Sequence, residues 1–93
     1  MRARFLVMDT FDFSTKKELA FVGTVLEGKP EIGMTVRSQI RGDDAVARRI
    51  INVEMLCSSV ENFKVGIRIA YTSDVDRIWL TSAFGAGTVM ELN

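Results

Sequence analysis

Runs rich in Val, Ile, Phe and Thr alternate with Gly, Asp and Ser turn signals at fairly regular intervals along the whole chain. That rhythm points to an all-β sandwich or barrel more strongly than to any other fold. Residues 3–13 open it, with Phe5, Val7, Asp9, Phe11 and Phe13 on one face and Leu6, Met8, Thr10 and Asp12 on the other. Both faces are largely apolar at the start, as in a strand covered on both sides. Residues 14–17 are polar and read as a turn. Residues 18–27 carry the strand formers Phe21, Val22, Thr24 and Val25. Gly23 in their middle marks a bulge or a close backbone approach, which barrels need for bending, and Gly23→Val should disrupt folding.

Gly28-Lys29-Pro30 breaks the second strand, and Ile32-Gly33 turns the chain into residues 34–41. There Val36 and Ile40 alternate with Arg37, Gln39 and Arg41, a half-exposed pattern. After the turn Gly42-Asp43-Asp44, residues 46–57 are the longest β-rich run. A helix over residues 43–55, capped by Asp43 or Asp44, is the alternative there. Val46, Ile50, Ile51 and Val53 are β-branched and tip the choice to strand. Residues 58–62 read as a loop, residues 65–72 alternate as a strand, and residues 73–76 read as a turn. Residues 77–81 make a short strand around Trp79, and residues 88–92 close the chain after Gly85-Ala86-Gly87.

About seven strands with short connections result. The expected architecture is a small closed antiparallel barrel of six to seven strands, which removes the sheet edges that a small open sheet leaves exposed. The 93 residues fit one domain, residues 1–93. Apolar content of 47% supplies one core, and 26% charged residues argue against wholesale disorder. The chain has no secretory signal pattern and no apolar run of membrane-spanning length, which makes the cytoplasm the expected compartment.

The chemistry that is missing narrows the function. There is no histidine, hence no usual general base near neutral pH and no usual neutral metal ligand. Cys57 is the sole cysteine, so no intramolecular disulfide forms, and without a histidine to activate it Cys57 reads as a small buried hydrophobe. Asp43 with Asp44, and Asp74 with Asp76, are better explained as solvated turn residues than as a cation site. The expectation is a protein that is not an enzyme and takes no cofactor and no metal.

Two surfaces remain. Arg37, Arg41, Arg48 and Arg49 flank one predicted hairpin, with Lys64 and Arg68 across the barrel. As a phosphate-contacting patch they would bind RNA; as a solvated face they are partly neutralised by Asp43 and Asp44. The twelve basic and twelve acidic residues cancel, which argues against a dedicated nucleic-acid binder and eases self-association. The second surface is Arg77 with Trp79. On a strand, either Ile78 and Leu80 point inward and Trp79 outward, or the reverse. An outward Trp79 calls for a partner or a second subunit to cover it.

Several segments also fall in the order of a known barrel. Met8-Asp9-Thr10-Phe11, then Val22-Gly23-Thr24-Val25-Leu26-Glu27-Gly28, then Pro30-Glu31-Ile32-Gly33-Met34-Thr35-Val36 form the first half of the pattern. Ile51-Asn52-Val53-Glu54-Met55-Leu56, Lys64-Val65-Gly66-Ile67-Arg68-Ile69 and Gly85-Ala86-Gly87-Thr88-Val89-Met90 form the second. Together they resemble the second domain of translational GTPases such as elongation factor Tu, the β-barrel that follows the nucleotide-binding domain. The resemblance covers nearly the whole chain and implies the fold. It does not bring the GTPase, since no Gly-x-x-x-x-Gly-Lys-Ser/Thr loop occurs. Ser14-Thr15-Lys16-Lys17 stands where that family often has a glycine-arginine-glycine turn, and residues 71–84 are longer than its usual connection. The leading expectation is a non-catalytic binding module with a translation-factor-like barrel, acting through a protein partner or as a homo-oligomer. The alternative is an RNA- or ribosome-associated module that uses the arginine hairpin.

Overall fold

The computed structural model describes residues 2–40, 44–57 and 63–93. Arg41 and the loop expected over residues 58–62 lie outside that set. In chain order the elements are β1 (Ala3–Phe13), β2 (Glu18–Glu27), β3 (Thr35–Ile40), β4 (Asp44–Arg49), β5 (Asn52–Cys57), β6 (Phe63–Ala70), α1 (Asp74–Ala83) and β7 (Val89–Leu92). The strands form one antiparallel sheet in the order β4-β3-β7-β1-β2-β6-β5. No helix among the described residues is long and apolar enough to cross a membrane.

β1 and β2 have the bounds expected from sequence. Their shared face does not follow simple alternation, because the register slips between Val7 and Asp9. Val7 pairs with Gly23 and Asp9 pairs with Val22, which leaves Met8 as the extra, bulged residue. Phe5 and Val7 are fully buried in the core. Beyond the bulge the parity reverses. Phe11 stands opposite Ala20 and Phe13 opposite Glu18, so both rings turn to the outer face, 51% and 38% exposed. The sequence expectation that Phe5, Val7, Asp9, Phe11 and Phe13 share a face is corrected by that one residue. Gly23 sits directly across from the bulge. A β-carbon there would stand 1.8 Å from the Leu6 carbonyl oxygen, so the close backbone approach is real.

The long β-rich run of residues 46–57 divides into two strands. The Ile50 N–H donates to the Met34 carbonyl at 2.8 Å, and the Ile50 carbonyl accepts from Gly33 at 3.0 Å. One residue later the Ile51 N–H donates to the Arg68 carbonyl at 3.0 Å. The chain thus changes partner from β3 to β6 between two consecutive residues. β4 and β5 become the two ends of the sheet. This corrects the closed barrel. A barrel closes when its first and last strands pair side by side, but these two are consecutive pieces of one run, linked only by Ile50 and Ile51. The sheet is an open half-barrel.

The second correction concerns residues 73–83. The turn at residues 73–76 and the strand at residues 77–81 are instead one helix, α1. Ser73 is its N-cap, and its Oγ accepts the Asp76 N–H at 3.1 Å. Asp76 reaches back and accepts from the Thr72 N–H at 3.1 Å. The arrangement is similar to a capping box, but the Asp76 carboxylate takes the N–H of the residue before the N-cap rather than that of the N-cap itself. Asp74 and Asp76 place negative charge in the first turn, where the helix dipole favours it. Leu80, Ala83 and Phe84 then recur at helical spacing and are buried. Phe84 meets Phe21 of β2 edge to face, with ring centres 5.8 Å apart and planes at 79°. The core joins that contact to Phe5, Leu19, Val36, Ile67 and Leu92.

Candidate functional site

α1 uses one stripe to reach the core and leaves another in solvent. Val75, Ile78 and Trp79 follow i, i+3, i+4 spacing and are exposed at 78%, 54% and 38%. Ser82 continues the line one turn later. These residues, with Thr72, Ser73 and Asp76, line a groove of about 600 Å³. The strand alternation expected around Trp79 is therefore wrong in form. Leu80 points inward, while Ile78 and Trp79 both face out, as only a helix permits.

The stripe is fixed from beneath. Arg48 of β4 stands opposite Val36, on the core side of its strand, and reaches α1. Its Nη2 lies 2.6 Å from Asp76 Oδ1, and its guanidinium carbon lies 5.9 Å from the centre of the Trp79 ring. Burial pushes the Asp76 carboxyl up, but the bonds from Arg48 and Thr72 outweigh it and hold the carboxyl below its ordinary range. On the other flank Tyr71 donates its hydroxyl to Asp12 Oδ1 at 2.9 Å. Burial first, and then that bond, push the Tyr71 phenol up. The groove wall is thus apolar, with its one carboxylate already matched by a cation. Such a surface suits apolar side chains of a partner rather than a charged small molecule.

The other predicted site residues are dispersed. Arg77 does not accompany Trp79. Its Nε points back toward β1, 3.7 Å from Asp12 Oδ2 and 3.9 Å from Asp74 Oδ1. Arg37 and Arg49 share the outer face of the β3–β4 pair, where Arg37 also stands opposite Glu91 of β7. Arg48 faces the other way, so the expected four-arginine patch is split. Arg68 lies on the outer face of β6, 2.8 Å from Glu54 and 3.3 Å from Glu18, with its guanidinium 4.3 Å from the centre of the Phe13 ring. Among the described residues no three His, Cys, Asp or Glu side chains converge as a metal ion would need.

Sequence reasoning missed Val75, Ile78 and the Arg48–Asp76 contact. The spacing Val75, Ile78, Trp79 and the pair Ser73, Asp76 were the available signal. A second exposed apolar surface, Met8, Phe11 and Phe13, lies on the outer face of β1, and Phe13 there is partly covered by Arg68. Comparison with protein-family models, with curated proteins and with solved structures finds no match.

Proposed function

We propose that this chain is a non-catalytic interaction module whose α1 presents Val75, Ile78 and Trp79 to an apolar surface of a protein partner. The observation that carries this reading is the pairing of exposure with rigidity. Three large apolar side chains stand in solvent on a helix that is capped at its start and clamped by Arg48. An exposed apolar stripe costs solubility, and a rigid one loses little entropy on binding. Tryptophan near the centre of such a patch is a common binding hot spot. The order of segments that resembles the second domain of translational GTPases fits a β-rich, barrel-like scaffold beneath that helix, while the binding role rests on the α1 side chains.

The test is capture from source lysate with wild type and with Ile78→Glu, each with and without ribonuclease. A partner held by wild type, kept after ribonuclease and reduced roughly tenfold or more by the variant supports the reading. A partner retained equally by both proteins contradicts it. Recovery of RNA that vanishes with ribonuclease transfers the function to the arginines, with Arg37 and Arg49 the first to substitute.

A further inference from the structure

We propose that the free edge of β5 pairs with β5 of a second copy of this chain, antiparallel across a two-fold axis, to continue the sheet from one molecule into the next. This proposal is independent of the α1 reading. β5 pairs with β6 along Asn52 to Cys57, and among the described residues no backbone group pairs with its other edge. An unpaired edge is a ready template for another strand, and chains usually guard such edges with lysine or proline. β5 carries neither; its residues are Asn52, Val53, Glu54, Met55, Leu56 and Cys57. Asn52 Oδ1 covers the Val53 N–H at 3.0 Å, a guard at one end of the strand only.

Charge selects the second copy as the occupant. Glu54 is the one ionised residue of β5, and Arg68 of the same chain stands 2.8 Å from it. Two copies therefore meet without an uncompensated charge on the edge, and the zero net charge of the chain adds no long-range repulsion. A register centred on Met55 sets Glu54 opposite Leu56 of the copy, whereas one centred on Glu54 would set two carboxylates face to face. The Met55 register also covers an apolar side chain that is 65% exposed in the single chain. A two-fold axis through that pair makes the interface self-complementary, so assembly stops at the dimer.

Sedimentation equilibrium over a concentration series tests the proposal, with wild type, Met55→Lys and Trp79→Glu compared. Wild type should approach twice the monomer mass. Met55→Lys should weaken the dimer roughly tenfold or more while melting like wild type when dilute, because the site is exposed. Trp79→Glu should dimerise like wild type, which separates this edge from the α1 surface. A Met55→Cys, Cys57→Ser double variant should form an intermolecular disulfide under mild oxidation, because the register brings the two positions together. A wild type that stays monomeric at every concentration overturns the proposal. So does a dimer that survives Met55→Lys or that Trp79→Glu abolishes.

Discussion

A side chain at position 23 would collide with backbone, and backbone cannot rotate away. The nearest atom to a β-carbon there is the Leu6 carbonyl oxygen at 1.8 Å, followed by the Leu6 carbonyl carbon at 2.9 Å. Gly23→Val must therefore part β1 from β2 at the centre of the sheet, and a loss of roughly 3 kcal/mol or more is expected in urea unfolding. Even Gly23→Ala should be strongly destabilising, since the clash begins at the first carbon. The glycine was legible in the sequence because a glycine amid β-formers has few other reasons to be there. Its partner was not. Met8 is an ordinary strand residue, and nothing in its type says that it is the one left out of register. That omission misplaced Phe11 and Phe13, since one unpaired residue reverses every side chain after it.

At the scale of the element, α1 owes its start to a few polar groups. Its exposed stripe contains the β-branched Val75 and Ile78, which favour helix only weakly. Ile78 and the neighbouring Trp79 are what made residues 77–81 read as a strand, with Val75 left in the turn before it. Ser73, Asp76 and Arg48 decide otherwise. Arg48→Ala should cost about 1–2 kcal/mol in thermal unfolding, by leaving a largely buried carboxylate without its charged partner. The pH dependence follows from the lowered pKa of Asp76. Its contribution is fully present above the ordinary carboxylate range of about 4 and is lost as pH falls through the lower folded value. Asp76→Asn should therefore flatten the acid limb of the stability curve, and Arg48→Ala should flatten it in part. Equal acid limbs in all three proteins would refute this account of the helix start.

At the scale of the molecule, the bounds of β1 and β2 and the rough places of β3, β6 and β7 were legible because those runs have their own turn signals. The expected count of about seven strands agrees with the structure only because the split of residues 46–57 offsets the helix found at residues 77–81. The closure of the sheet was not. Residues 46–57 hold no glycine or proline at the point where the chain leaves β3 for β6, so sequence shows one strand where the structure has two edges. The passage of Ile50 and Ile51 between two partners is set by which carbonyls lie within reach, and local sequence does not encode that. The candidate site was half legible. Trp79 stood out by type, but its companions Val75 and Ile78 appear only once the helical period is known. Trp79 is also the sole tryptophan, so its emission reports on this surface alone. The most direct measurement of the central claim is a fluorescence titration of the chain with its captured and purified partner. Burial of the α1 stripe predicts a saturable blue shift of Trp79 emission that Ile78→Glu moves to at least roughly tenfold higher partner concentration. Binding that saturates while the emission of Trp79 stays unchanged would place the interface elsewhere on the molecule.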